Sequence, residues 1–203
     1  MLINPIASGS SGNAYYISDG QSSLLLDAGI PLAQIQAGCG YKVSQLSGCL
    51  VTHGHGDHVK AAKALARMGV NIYTSQGTAD MASLTGHRIC TVRALESFRA
   101  GTFEVLPFDV EHDVPEPLGF LIRSTVTGEK VLYFTDTVLL DALIDLETED
   151  GDGDEYFVAF DYVVDNQDII DIGHNAPDAA AFKSCRIFGK QRPQFCHLFT
   201  PCG

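Results

Sequence analysis

Seven residues, Thr52-His53-Gly54-His55-Gly56-Asp57-His58, constrain this chain more than any other stretch. Three imidazoles and a carboxylate fall within six positions, and these side chains suit zinc, manganese or iron. Cys49-Leu50-Val51-Thr52 just before reads as the end of a short buried strand. Gly54 and Gly56 let the chain turn sharply and keep bulky side chains away from an ion. Behind them, Val59 to Met68 has helical character, with Asp57 placed to cap it. A strand-to-helix turn holds its donors on a rigid edge, where a substrate can reach them. The competing reading is a polar loop that merely contains three histidines, and the density of donors weighs against it.

The rest of the chain supplies alternating strands and helices. Residues 2–7, 14–18 and 23–27 read as three short strands with polar, Gly-rich turns. The turn Ser8-Gly9-Ser10-Ser11-Gly12 could offer backbone amides to a phosphate. It lacks a lysine and a following helix, so a simple tight turn is the reading adopted. Pro31 to Ala37 is a short helix opened by proline. Val70–Thr74 is a strand, Gly77–Leu84 a helix, and Ile89–Val92 and Thr102–Pro107 are strands, while His87 is a surface histidine. Gly119–Thr125 and Lys130–Thr135 form a hairpin around Thr127-Gly128-Glu129. Val138–Leu146 then reads as a helix, Tyr156–Val164 as a strand, Pro177–Phe188 as a helix and Gln194–Thr200 as a strand. Between these lies an acidic loop around 147–155. Its Asp150, Asp152 and Asp154 mimic a calcium loop, but Glu155 stands where that loop needs glycine.

A chain of 203 residues with 45% hydrophobic content is expected to form one domain, 1–203. No apolar run approaches the roughly 18 residues of a membrane span, and no basic-then-apolar leader is visible, so a cytoplasmic protein without membrane contact is expected. The six cysteines (39, 49, 90, 185, 196 and 202) show no paired spacing and read as reduced thiols, several in apolar runs. Charge is unevenly spread. Residues 101–178 carry two Lys/Arg against twenty Asp/Glu, whereas residues 179–203 carry four basic residues and no acidic one. A net charge of −12 argues against a broad nucleic-acid surface but leaves room for a local one at Lys183, Arg186, Lys190 and Arg192.

The H-x-H-x-D-H pattern after a hydrophobic strand resembles the signature of the metallo-β-lactamase superfamily. Ala7-Ser8-Gly9-Ser10-Ser11-Gly12-Asn13-Ala14-Tyr15-Tyr16-Ile17, with Leu24-Leu25-Leu26-Asp27-Ala28-Gly29, is similar to the opening of its YycJ/WalJ-like branch and, more loosely, of PhnP-type phosphodiesterases. The resemblance implies an αββα sandwich: two mixed sheets face to face, helices outside, and a metal site at one edge. It also implies two divalent metal ions, Zn or Mn. His53, His55 and His112 would hold the first, and Asp57, His58 and His197 the second, with Asp136 of Tyr133-Phe134-Thr135-Asp136-Thr137 bridging. An aspartate rather than a cysteine at that bridge points away from the main class of true β-lactamases. Val163 departs from the branch, which places asparagine there beside Asp161 and Asp165.

The chemistry implied is hydrolysis of a phosphodiester by a hydroxide shared between two cations. Asp57 would orient that nucleophile and take its proton, and His174 of Gly173-His174 would serve the leaving oxygen. A DNA exonuclease using Lys183, Arg186, Lys190 or Arg192 leads the expectations. A small-molecule phosphodiesterase follows, then a thioester or lactam hydrolase, then a metal-binding module without turnover. Salt dependence and metal stoichiometry separate these.

Overall fold

The computed structural model describes residues 1–136 and, as backbone, two later strands at 155–159 and 184–188. The first sheet opens as an antiparallel meander of β1 (Leu2–Ala7), β2 (Ala14–Ser18) and β3 (Ser23–Leu26). It then changes character. β4 (Gly48–Leu50), β5 (Ile72–Thr74) and β6 (Ile89–Thr91) are added in parallel. Each parallel step needs a crossover that returns the chain to the same end of the sheet, and helices provide it. α1 (Leu32–Gly38) lies between β3 and β4, α2 (Gly56–Val59) and α3 (Ala62–Arg67) between β4 and β5, and α4 (Gln76–Met81) between β5 and β6.

The second sheet is antiparallel through β7 (Phe98–Ala100), β8 (Phe103–Asp109), β9 (Leu118–Ser124) and β10 (Lys130–Tyr133). β11 (Glu155–Ala159) joins β10 in parallel, and β12 (Ser184–Phe188) closes the edge antiparallel to β11. Among the described residues each sheet has six strands in simple sequential order.

Leu24-Leu25-Leu26 is apolar at successive positions because both faces of β3 are covered. Leu24 and Leu26 join Tyr15, Ile17 and Leu50 against Phe103, Val105, Phe120, Ile122, Val131 and Tyr133 of the opposite sheet. Leu25 faces the other way, into a cluster with Cys49, Ile72, Ile35, Ala62 and Leu65 that seats α1 and α3. Each fully buried aliphatic side chain contributes about 1.5–3 kcal/mol over exposure, so a polar replacement at any of the three leucines forfeits that contribution from one of the two clusters. Cys39 and Cys49 sit unbridged in the helix-side cluster, as expected of core thiols, and burial pushes the Cys39 thiol up to about 11.

At the end of the sandwich where β3 begins, one carboxylate fastens the two sheets. Asp19, in the turn before β3, accepts from the backbone N–H groups of Gln21 and Ser22. It also accepts from the Thr102 and Ser124 hydroxyls of the second sheet, at 2.5 and 2.8 Å.

Two expectations are corrected. The single helix over Val59–Met68 is split, and Asp57 lies in the first turn of α2 rather than at its cap, a position held by His55 without a side-chain bond. The cause is competition for backbone partners. The Asp57 carbonyl accepts from Asn13 N–H, so Ala61 N–H turns instead to the Ala28 carbonyl. Within the span Pro177–Phe188, expected as a helix, residues 184–188 are the strand β12, and 177–183 lie outside the described residues. Ser184-Cys185-Arg186-Ile187-Phe188 carries the β-branched and aromatic residues that suit a strand, and β11 offers it a ladder. β7 was unanticipated: it pairs with β8 across Gly101-Thr102. The expected helix Val138–Leu146, the strand Gln194–Thr200 and the acidic loop before Glu155 lie outside the described residues. Among the described residues no helix is long and apolar enough to cross a membrane.

Candidate metal centre

Three loops, after β1, β3 and β4, are laced together by main-chain hydrogen bonds at the edge where β3 and β4 end. Ala28 N–H donates to His58 O at 2.7 Å, Asn13 N–H to Asp57 O at 2.8 Å, and Gly29 N–H to Asn13 O at 2.8 Å. The approach is so close that a Cβ on Gly29 would overlap the Asp57 carbonyl, which only glycine avoids. The histidine-bearing turn is therefore held by backbone on both sides before any side chain contributes.

Asp27 organises what stands on that frame. It is fully buried and adopts a left-handed φ of 55°, which aspartate tolerates better than most residues. Thr52 donates to it from N–H at 2.8 Å and from its hydroxyl at 3.0–3.1 Å. Tyr133, from the second sheet, donates at 2.7 Å. His58 Nδ1 lies 2.8 Å from its Oδ2 and donates, since a carboxylate can only accept. The Thr52 hydroxyl spends its proton on Asp27, so His53 Nδ1, 3.0 Å from that oxygen, must donate to it. Its tautomer is thereby set, and His53 Nε2 is left with its lone pair facing the neighbouring donors.

Those neighbours converge. His53 Nε2 lies 3.1 Å from His55 Nδ1 and 3.4 Å from Asp136 Oδ2. His112 Nε2 lies 3.3 Å from His55 Nδ1. His58 Nε2 lies 3.0 Å from Asp136 Oδ2, and Asp136, like Asp27, follows a strand with a left-handed φ, here 50°. Two overlapping groups result, His53/His55/His112 and His53/His58/Asp136, each with its donor atoms within 4.8 Å of one another.

Electrostatics match a cation-binding cluster. Burial and the charge of His58 hold His53 down to about 3, so its imidazole is neutral. Burial opposes protonation of His58, but the charge of Asp27 and hydrogen bonds to Asp136 and Asp27 outweigh it and push His58 up to about 10. Burial raises Asp136, yet its hydrogen bond to His58 and the surrounding imidazoles keep it below the usual carboxylate range.

The donor set fits a divalent ion on a geometric ground. His58 Nε2 is approached at 3.0 Å both by the Asp136 carboxylate, an acceptor, and by Asn13 Nδ2, a donor. Asn13 cannot reverse its amide, because its Oδ1 accepts from Gly9 N–H at 2.8 Å. A proton on Nε2 satisfies Asp136 and opposes Asn13; a bare lone pair does the reverse. A cation takes the nitrogen and the carboxylate oxygen together, as mixed imidazole–carboxylate sites for Zn or Mn do.

Of the residues singled out from sequence, His53, His55, His58, His112 and Asp136 are brought together. Asp57 is at the rim, its Oδ2 3.8 Å from His58 Nε2 and its side chain 36% exposed. His174, His197, Lys183, Lys190 and Arg192 lie outside the described residues, and Arg186 is described only as backbone within β12. Asp27 and Asn13 were not singled out. A carboxylate ending a three-leucine strand was the available signal, because such a group survives burial only with several donors.

The family described as the Beta-lactamase superfamily domain matches residues 23–197. An exodeoxyribonuclease YycJ from Bacillus anthracis is 33% identical over 143 residues, 65% of this chain and 53% of that protein. An exodeoxyribonuclease WalJ from Streptococcus pneumoniae is 36% identical over 77 residues, 36% of this chain and 29% of that protein. The chain thus spans about half the length of one curated relative and less of the other. Among solved structures, the metallo-β-lactamase fold protein YhfI from Bacillus subtilis superposes with a TM-score of 0.60 at 21% identity, over 71% of this chain and 66% of that one. A motif mutant of a metallo-β-lactamase from Cronobacter sakazakii gives 0.56 at 14% identity, over 78% and 79%. These likenesses establish the fold, an αββα sandwich. With the matched family covering most of its length, the chain belongs to the metallo-β-lactamase superfamily.

Proposed function

We propose that this chain is a metal-dependent hydrolase of phosphodiester bonds that acts on DNA as an exonuclease. The observation that carries the hydrolytic part is the convergence of His53, His55, His58, His112 and Asp136 at one edge of the sandwich. The exodeoxyribonuclease relatives support the choice of DNA. His53, His55 and His112 would hold one divalent ion; Asp57, His58 and His197 would hold a second, with Asp136 shared. Zn and Mn both suit this mixture of imidazole and carboxylate. When bound, such ions lower the pKa of water and neutralise phosphoryl charge.

The chain's own groups do the rest. Asp57, exposed at the rim beside His58, orients the attacking water and accepts its proton. His174 serves the departing oxygen, and Lys183, Arg186, Lys190 and Arg192 contact the DNA backbone. One observation favours a smaller substrate as a second reading: the segment that carries His112 also carries exposed Asp109, Glu111, Asp113 and Glu116, a poor approach for a polyanion.

End-labelled single- and double-stranded DNA incubated with the Mn-loaded protein tests the proposal. Release of mononucleotides by wild type and not by Asp57→Ala is expected, with binding that weakens steeply as salt rises. Intact DNA in the presence of verified bound metal would overturn the nuclease reading. Cleavage of a small phosphodiester that is insensitive to salt would favour the second.

A further inference from the structure

The conflict at His58 Nε2 leaves one group without a role once a cation is bound. Asn13 is 3% exposed, and among the described residues the only side-chain partner of its Nδ2 is that nitrogen, at 3.0 Å. Its other amide atom accepts from Gly9 N–H, and its main chain is fixed by Asp57 O and by Gly29 N–H. The –NH₂ group is thus clamped in one orientation, buried, and aimed at the atom a cation would occupy. We infer that Asn13 is a substrate-binding donor: its Nδ2 hydrogen-bonds a non-bridging oxygen of the phosphate undergoing hydrolysis. The inference rests on the proposed metal-dependent phosphodiesterase reading and adds a residue to it.

The physical case is one of pairing. With a proton or a cation on Nε2, that nitrogen has no lone pair to offer Asn13 Nδ2, and a buried amide donor without an acceptor is costly. An anionic oxygen beside the cation restores that pairing, and the hydrogen bond gains strength from the oxygen's charge. The Ser8–Gly12 turn then acts as the mount for this donor, with Gly9 positioning the amide and Gly12 N–H donating to Gly9 O at 2.9 Å to close the loop. Gly12 holds a φ of 136°, and a Cβ there would collide with the Gly29 carbonyl, so the mount is built against the loop that follows β3.

The test compares wild type, Asn13→Asp and Asn13→Ala, each loaded with zinc, for binding of inorganic phosphate and thymidine 5′-monophosphate by titration calorimetry. Asn13→Asp keeps the oxygen that accepts from Gly9 and loses the donor; Asn13→Ala loses both without adding charge. Both variants should weaken phosphate and nucleotide binding by roughly ten- to a hundred-fold, the range for a hydrogen bond to a charged group. Zinc affinity, read separately by chelator competition, should be retained in Asn13→Asp. If Asn13→Asp retains zinc and binds phosphate as wild type does, Asn13 is merely structural and the inference is overturned. Phosphate binding lost only in proportion to zinc would also overturn it. A wild-type protein that takes up no divalent ion would overturn the underlying reading instead, and this one with it.

Discussion

Tyr133→Phe removes one oxygen from between the two sheets at the site end of the sandwich and should be felt at the site. The Tyr133 ring is fully buried and meets Tyr15 edge-on at 5.6 Å, packing that phenylalanine preserves. What disappears is the 2.7 Å hydrogen bond to Asp27 Oδ2, the oxygen that also accepts from His58 Nδ1 at 2.8 Å. A hydrogen bond to a charged group contributes about 1.5–3 kcal/mol. Asp27 retains donors from Thr52 and His58, so the loss belongs near the middle of that range, about 2 kcal/mol. For a chain of this size each kcal/mol moves the melting temperature by roughly 2–4 °C, giving a fall of about 4–8 °C. His58 is simultaneously held less firmly, and outer partners of metal-ligating histidines are worth about 10–100-fold in affinity. Urea denaturation of the metal-stripped protein reads the first effect, and competition with a chelating dye reads the second. A variant within about 0.5 kcal/mol of wild type and with the same zinc affinity would refute the reasoning, since surface-like changes are that small.

Metal uptake near neutral pH should release about one proton from His58, because its pKa of about 10 leaves it protonated until a cation displaces the proton. Calorimetry in buffers of different ionisation enthalpy counts it, and affinity should rise as pH increases toward 10. Asp19 is shifted the other way, downward, and its effect falls at the acid end. Burial works against its ionisation, but hydrogen bonds from Ser22, Thr102, Gln21 and Ser124 lower it from 3.8 to about 2. Its contribution is present above the unfolded value and lost as pH falls through about 2, so Asp19→Asn should flatten the acid limb of a stability–pH curve below pH 4. Gly29→Ala places a methyl group on the Asp57 carbonyl, and overpacking of this kind costs about 1–3 kcal/mol or more. Chemical denaturation should show that loss together with weakened metal binding, because the displaced peptide carries the residue next to His58.

What sequence disclosed at this site depended on how far apart the contributing residues lie. His53, His55 and His58 were legible directly, since one strand-to-helix turn delivers them and their spacing is itself the signal. His112 and Asp136 come from the opposite sheet, and nothing local distinguishes them from a loop histidine and a helix-capping aspartate; the family resemblance supplied them. Asp27 and Asn13 act through partners 25–106 positions away, among them Thr52, His58 and Tyr133, a scale on which periodicity carries no information. The same holds for the break between α2 and α3. The sequence of Val59–Met68 reads as one helix, but the Ala28 and Asn13 backbones claim the groups that a continuous helix would have used. The meander and the hairpin at Thr127-Gly128-Glu129 were legible because turn chemistry is local; β12 was not, because a strand of five residues takes its identity from the edge it joins.

The two sheets are fastened at both ends, by Asp19 with Thr102 and Ser124 at one, and by Asp27, Tyr133 and the paired Thr52 and Thr135 hydroxyls at the other. Such a body resists sliding of one layer over the other, so the spacing of the converging imidazoles is set when the protein folds. Adaptation to a new molecule then falls to the connecting segments. Changing the segment around His112 while keeping His112 itself would alter what is admitted without re-engineering the layers beneath. The architecture separates a rigid instrument from an interchangeable mouth.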